Sequence, residues 1–379
     1  MLPKFFITTT VPITFTFFRG QLQRLNEEFE VCAISSIKKE LENFGHSEGV
    51  RTHYIDMSRP ISLWRDLKSL FRFISFFLKE RPTIVHGNTP KAALLSMVAG
   101  WLTRRPVRIY MCHGLRYQGT SGKMRSLLMW MERITCKCAT HVVCVSEGVK
   151  NTFASDGICK PKKMRVIGYG SAGGIDLKHY DRSQVHEDIR AKLNIPTNGF
   201  VFAFVGRVVK DKGINELLHA FDRLAKEYKN CYLIIVGPEE VEQNPISEES
   251  RQIMRGNSQV FAVGRQSDVR PFLAAADGFV LPSYREGFGM VLIEAGAMGV
   301  PSITTNIIGC NEVIHDSVNG DIVESKDEEA LYKQMKQWIT HPEMVRQYSL
   351  NARKMVENRY EQQTVWQTYR DFYRQVAER

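Results

Sequence analysis

The stretch Asp277–Pro301 reads D-G-F-V-L-P-S-Y-R-E-G-F-G-M-V-L-I-E-A-G-A-M-G-V-P. A short apolar run, Gly278 to Leu281, leads through a polar, glycine-containing turn, Pro282 to Gly289, into an almost wholly apolar segment closed by Gly299 and Pro301. This pattern predicts a strand, a loop and a helix. Backbone N–H groups left unpaired at a helix N-terminus, with the helix dipole behind them, make a site for an anion. Two acids frame it: Glu286 in the turn, and Glu294 among Val291, Leu292, Ile293 and Ala295. A carboxylate on so apolar a helix is costly unless something hydrogen-bonds it, which marks Glu294 as a ligand-binding group.

The same alternation surrounds the stretch. Before it, Gly199–Gly206, Cys231–Gly237 and Gln259–Gly264 read as strands, separated by helices at Ile214–Tyr228, Ser247–Arg255 and Asp268–Ala276. The first half repeats it, with strands at Lys4–Thr10, Val31–Ser35, Thr52–Asp56, Thr83–His86, Val107–Cys112, Thr140–Val145 and Met164–Ile167. Helices are expected from Arg19-Gly20 through Phe29 and at 62–80, 89–103, 121–138 and 147–155, with Val11–Phe18 as a loop. Strands alternating with helices imply parallel sheets covered on both faces, an α/β architecture. The 379 residues suit two such domains. We place a Rossmann-like N-terminal domain at 1–180 and a second at 181–361. The apolar stripe of Thr364–Arg379 predicts a final helix, 362–379, crossing back onto the first domain. Ligands of such sheets sit at the carboxyl ends of the strands, so a cleft between facing domains is the expected active site.

Apolar content of 43% and charged content of 24% set disorder aside. The eight cysteines are scattered without a metal-binding spacing, several of them in apolar runs, and no signal peptide or membrane span is apparent. A reducing cytoplasm is the expected location. Charge is uneven: residues 1–180 hold 27 Lys and Arg against 13 Asp and Glu, while residues 181–379 hold 24 against 28. A first half at +14 suits an anionic membrane, a phosphorylated acceptor or a nucleic acid, or is a solvated basic face with no partner; of these the membrane surface and the acceptor are the expected partners, and nucleic acid is not. Ser62–Lys79, S-L-W-R-D-L-K-S-L-F-R-F-I-S-F-F-L-K, is either a basic amphipathic helix lying in a bilayer surface or a covering helix of the sheet.

With its E-x7-E pair, S-Y-R-E-G-F-G-M-V-L-I-E-A resembles the nucleotide-sugar site of retaining GT-B glycosyltransferases of family 4. The resemblance extends through G-R-V-V-K-D-K-G (206–213), V-G-R-Q-S-D-V (263–269) and I-I-G-C-N-E-V-I (307–314). C-H-G-L-R (112–116) and V-S-E-G-V-K (145–150) fit the subgroup that builds capsular and lipid-linked bacterial glycans. The resemblance implies a GT-B fold and transfer of a sugar, with retention, from a nucleotide diphosphate sugar, UDP being the expected nucleotide. The implied acceptor is a polyprenyl diphosphate saccharide at the inner membrane surface.

A nucleotide diphosphate leaving group develops negative charge that a metal or fixed cations must meet. The sequence has no Asp-x-Asp to hold Mg²⁺, so no metal and no cofactor beyond the donor are expected. Arg207 and Lys212, at and just beyond the carboxyl end of the strand ending at Gly206, are the candidate cations. By resemblance Glu294 holds the ribose, and Glu286 a hydroxyl of the donor sugar. The N–H groups of Phe288, Gly289 and Met290 lie near sugar and phosphate, and the Gly264-Arg265 loop holds the base. A glycosidase pair would set its carboxylates about 5–9.5 Å apart, against roughly 12 Å for eight residues of helix. His113, after the strand Val107–Cys112, contacts the donor sugar or the reacting centre by resemblance. Arg116, Tyr117 and Lys123 follow it toward an acceptor phosphate, and Ser146 and Glu147 mark another strand end.

Gly168, Gly170 and Gly173 spell a dinucleotide-type G-x-G-x-x-G, but no convincing helix follows, so it reads as the interdomain joint. The bulky, apolar Thr10–Phe17 stands where many relatives carry a glycine pair, and it fits a greasy acceptor. Alternatives are a nucleotide-sugar epimerase of the same fold and a noncatalytic sugar-nucleotide binding protein.

Overall fold

The computed structural model describes residues 2–58, 60–242 and 244–378. Two units divide the chain: Met1–Gly174 with Gln363–Arg379, and Ile175–Gln362. The first contains β1 (Lys4–Thr8), α1 (Gln21–Leu25), β2 (Glu30–Ser35), α2 (Lys38–Glu48), β3 (Arg51–Tyr54), α3 (Leu63–Glu80), β4 (Ile84–Asn88) and α4 (Pro90–Leu102). It continues with β5 (Val107–Cys112), α5 (Gly122–Cys138), β6 (His141–Cys144), α6 (Glu147–Ser155) and β7 (Met164–Val166). All its strands are parallel, in the order β3-β2-β1-β4-β5-β6-β7. β4, in the middle, is buried at every residue, as a strand covered on both faces must be. Right-handed crossovers put α3, α4, α5 and α6 on one face, with α1 and α2 on the other.

The second unit holds α7 (Ile189–Lys192), β8 (Phe200–Val205), α8 (Ile214–Glu227), β9 (Cys231–Val236), α9 (Glu248–Gly256), β10 (Val260–Gly264), α10 (Arg270–Ala275), β11 (Gly278–Leu281) and α11 (Met290–Ala297). β12 (Ser302–Thr305), β13 (Gly320–Val323), α12 (Glu328–Thr340) and α13 (Pro342–Tyr360) complete it. Its parallel order is β10-β9-β8-β11-β12-β13. These two sheets are the Rossmann-like pair of a GT-B fold. The elements between Pro301 and the final helix were not anticipated, although Val345, Tyr348, Ala352, Val356 and Tyr360, the buried stripe of α13, recur at helical spacing.

The joints fall at 174/175 and 362/363, not at 180/181 and 361/362. Ile175 is a core residue of the second unit, and it pairs with Glu361 as an isolated parallel bridge. Its N–H donates to the Tyr360 carbonyl at 2.8 Å, and its carbonyl accepts from the Gln362 N–H at 3.0 Å. α14 (Gln362–Ala377) then packs beside α1 on the first unit: Trp366 fills the space over Gly20, and Arg374 pairs with Glu28 at 2.5 Å. Tyr373 meets Phe5 edge-on at 4.9 Å between ring centroids.

Candidate functional site

In the second unit the carboxyl ends of β8 and β11 carry the candidate cations and acids. β8 ends at Val205, and Arg207 stands exposed beyond Gly206, paired with Glu240 at 2.9 Å. The next turn places Lys212 against Glu286, whose Oε1 accepts from Lys212 Nζ and, at 2.8 Å, from Ser283 Oγ. Gly213 makes this approach possible. It sits at φ +70°, and a Cβ there would lie 2.0 Å from the Pro282 carbonyl oxygen. Only glycine lets the loop after β8 lie directly on the loop after β11. Arg285 binds Asp211 across the same seam at 2.6 Å.

Glu286 precedes α11 by four residues, so the helix-based spacing of the two acids does not apply; the chain turns between them. Glu294 is held inside α11 by the Tyr180 hydroxyl, which donates to it. Burial raises its pKa to about 7, and that hydrogen bond opposes the rise only in part. Tyr180, brought in by the segment entering the unit, was not foreseen.

The expected set of free N–H donors at the start of α11 needs correction. The Gly289 N–H donates to the Gly309 carbonyl at 3.0 Å, and the Met290 N–H to the Phe288 carbonyl at 2.9 Å. The cause is close packing of G-F-G on I-I-G-C: a Cβ on Gly309 would meet the Gly287 carbonyl oxygen at 2.8 Å and the Phe288 Cα at 2.9 Å. Phe288 is half-buried, its ring edge-on to Tyr360 at 5.6 Å. Gly264 and Arg265 are exposed at the end of β10, where Gly264 takes φ +68° and its carbonyl accepts from the Gly237 N–H at 2.8 Å.

In the first unit His113 follows β5 and joins a buried polar row. Its Nε2 lies 2.9 Å from Asn88 Oδ1, Asn88 Nδ2 lies 2.9 Å from His86 Nδ1, and His86 Nε2 lies 3.3 Å from the Tyr373 hydroxyl on α14. Asn88 has one acceptor and one donor end, so the row runs one way. His113 Nε2–H donates to the Asn88 carbonyl, the Asn88 amide donates to His86 Nδ1, and His86 Nε2–H donates to Tyr373. His113 Nδ1 is left with its lone pair. Burial lowers the His113 pKa to about 4, and burial with neighbouring His113 lowers that of His86 to about 3, so both rings are neutral near pH 7. Phe17 stacks on His113 at 5.7 Å and Phe18 meets it edge-on at 6.3 Å.

Other first-half candidates divide. Tyr117 is fully buried, with its hydroxyl on Asp156 at 2.7 Å, and leaves the set that could meet an acceptor; Arg116 and Lys123 are exposed. Ser146 caps α6, accepting from the Val149 N–H at 3.2 Å, and Glu147 pairs with Lys150 at 2.8 Å. In the bulky loop Pro12, Phe15 and Phe18 are core, while Ile13 and Phe17 are exposed. Gly173 serves packing, since a Cβ there would sit 2.1 Å from the Phe17 carbonyl oxygen, and no helix follows it.

Comparison with known proteins fits both halves. Residues 18–170 match the model described as Glycosyltransferase Family 4, and residues 185–355 that of Glycosyl transferases group 1. The capsular polysaccharide biosynthesis glycosyltransferase CapM of Staphylococcus aureus is 36% identical over 373 residues, which span 98% of this chain and 96% of that protein. The chain belongs to this glycosyltransferase family. A second relative of this glycosyltransferase is the UDP-Gal:alpha-D-GlcNAc-diphosphoundecaprenol alpha-1,3-galactosyltransferase of Escherichia coli, 27% identical over 338 residues, 88% of this chain and 86% of the relative. Among solved structures, Anabaena Alr3699/HepE in complex with UDP superposes with a TM-score of 0.81 at 19% identity, covering 99% of the glycosyltransferase chain and all of its own. At that identity the likeness speaks to fold.

Proposed function

We propose that this glycosyltransferase moves a hexosyl or N-acetylhexosaminyl group from a UDP-sugar to a hydroxyl of a polyprenyl diphosphate saccharide. The reaction retains anomeric configuration, needs no metal, and serves capsule or surface polysaccharide synthesis at the inner face of the membrane. The observation that carries the reading is the Lys212–Glu286 pair, set by Gly213 against Pro282 on the same unit as Glu294 and its Tyr180 partner. The two relatives support the rest: one is named for capsular polysaccharide, the other for a UDP donor and a diphosphoundecaprenol acceptor.

On this reading the donor takes Lys212 and Arg207 over from their carboxylates. The two cations meet the diphosphate, Glu286 a sugar hydroxyl, Glu294 the ribose, and the Gly264-Arg265 loop the base. The anomeric C–O bond to phosphate breaks as the acceptor oxygen bonds to the same face of the sugar. The departing phosphate oxygen takes the acceptor proton, and the cations stabilise its charge. Neutral His113, with Nδ1 open, accepts a hydrogen bond from the donor sugar.

The test is a panel of UDP-sugars with short polyprenyl diphosphate saccharides, following UDP release, product mass and product anomer, with and without EDTA. Acceptor-dependent UDP release that survives EDTA supports the proposal. Sugar epimerisation without acceptor, or no transfer by well-folded protein, overturns it.

A further inference from the structure

One helix of the first unit departs from what a covering helix needs. At about 100° per residue, the outward half of α3 divides lengthwise into two stripes. One edge carries Leu63, Trp64, Leu67, Phe71 and Leu78, all exposed, with Leu63 at 76%, Trp64 at 85% and Phe71 at 67%. The other carries Arg65, Lys68, Arg72 and Lys79, also exposed, none of which forms an ion pair among the described residues.

The acids of α3 lie on the opposite, inward side and are already satisfied. Asp66 accepts from Lys91 at 2.6 Å, and Glu80 pairs with Lys4 at 2.8 Å and Arg51 at 3.0 Å. Ser69, Phe73 and Phe77 are buried against the sheet. Thus the helix is anchored by its inner face and presents outward only apolar bulk and uncompensated positive charge. Beside the basic stripe, Arg72, Ser75 and Lys79 border an open cavity of about 530 Å³ whose other walls include Arg51 and His53 of β3 and Glu80, the last neutralised by Lys4 and Arg51. His53 lies flat on Phe76, 3.6 Å between ring centroids.

We propose that the outer half of α3 is a docking surface for an anionic phospholipid bilayer. The apolar edge lies among the acyl chains at the headgroup boundary, and the basic edge with its cavity receives lipid phosphates. Charge complementarity selects this occupant: a protein partner for so apolar a stripe would not require four unneutralised cations along its whole length. Among the described residues no helix is long and apolar enough to cross a membrane, so α3 lies on the surface.

Further exposed aromatics support the same face, Trp101 on α4 and Trp130 on α5, since α4 packs between α3 and α5. The N-terminus of α3, with Trp64, points to the carboxyl edge of the sheet, where His113 lies. Docking there would bring a lipid-linked acceptor to that edge, a purpose that rests on the function proposed above, whereas the docking itself does not.

The test uses the full chain and vesicles of phosphatidylcholine, alone or with about one-third phosphatidylglycerol. Wild type is expected to co-sediment with the anionic vesicles at low salt, with a blue shift of tryptophan emission that Trp64→Phe reduces, since Trp101 and Trp130 share the face. Replacing Lys68, Arg72 and Lys79 by Gln should weaken that partition by about a hundredfold, and Trp64→Ser with Phe71→Ser should abolish the shift. Thermal melts confirm that the variants fold. Failure of wild type to bind anionic vesicles, equal binding by all variants, or a wild-type dimer that the serine changes turn into monomer, would each overturn the proposal. Transfer to a short-chain, detergent-soluble acceptor should be unchanged in these variants. Absence of transfer in wild type would count against the transferase mechanism while leaving the vesicle result standing.

Discussion

The two units solve opposite electrostatic problems. In the second, the candidate cations Lys212 and Arg207 are paired with the carboxylates Glu286 and Glu240, as neighbouring Arg285 is with Asp211. In the first, the row His113, Asn88, His86 and Tyr373 is neutral and mostly buried. Exchangeable ion pairs suit a ligand that arrives with its own charge, because the incoming phosphate replaces a carboxylate already there. A neutral, directional row suits fixing where one lone pair points. On the proposed reading the second unit meets the leaving group and the first orients a sugar hydroxyl.

The strongest way to break this contrast is Lys212→Met, expected to lower kcat/KM by about 10² to 10³, the scale for losing a group that stabilises transition-state charge. Steady-state kinetics with the best UDP-sugar measures it. The double change Lys212→Met with Glu286→Gln separates chemistry from packing. It should recover whatever stability the single change loses by stranding a half-buried carboxylate, and recover no activity. Restored turnover in the double variant would make the pair structural.

Next comes Asn88→Leu, which cuts the neutral row at its centre. The change leaves His113 without the acceptor that holds its tautomer, and a fall of roughly 10- to 100-fold in kcat is expected, with KM for the UDP-sugar little altered. An equal loss in both parameters would remove the row from the reaction. Asn88 also shows what the sequence could and could not tell. The positions of Glu286, Arg207 and Lys212 could be read from the sequence because each follows a recognisable strand within a few residues, and that of Glu294 because it interrupts an apolar helix. Asn88 and His86 reach His113 only because β4 pairs with β5, and Tyr373 because a helix that starts 188 residues after its own unit's last joint residue, Gly174, returns to it. Strand neighbours in a parallel sheet, and segments far apart in the chain, carry no local pattern. The spent N–H of Gly289 was hidden for the same reason, its acceptor being the Gly309 carbonyl, while that of Met290 turns back on Phe288.

A pH series sharpens the comparison through stability. The folded His113 and His86 have pKa values near 4 and 3 against 6.5 for the ordinary side chain. Their contribution is complete above about pH 6.5 and lost as pH falls toward those values. Burial raises Glu294 to about 7, and likewise Glu132, which accepts from the Tyr110 hydroxyl at 2.7 Å. Their contribution is complete below the ordinary value of 4.5 and lost as pH rises through 7. The melting temperature should therefore peak between these limits. Glu132→Gln should raise it by a few degrees at pH 8 and leave it unchanged at pH 4.5. An equal shift at both pH values would show that the carboxyl does not titrate in this window.

The smallest expected effect falls where the row ends. Tyr373→Phe removes only the hydroxyl at 3.3 Å from His86, while the ring keeps its contacts with Phe5 and Tyr369. The loss should be about 1 kcal/mol, one neutral hydrogen bond, read as a small shift in the denaturation midpoint. If the row holds His113 by direct contact with Asn88, kcat changes by less than about threefold, because His86 still has Asn88 on its Nδ1 side. If instead the row is one cooperative unit, Tyr373→Phe combined with Asn88→Leu costs measurably less than the two single losses together, as a double-mutant cycle would show. α14 then acts on the site through its hydroxyl and not only through its apolar stripe. That outcome would explain a chain that crosses back to its first unit to deliver a tyrosine.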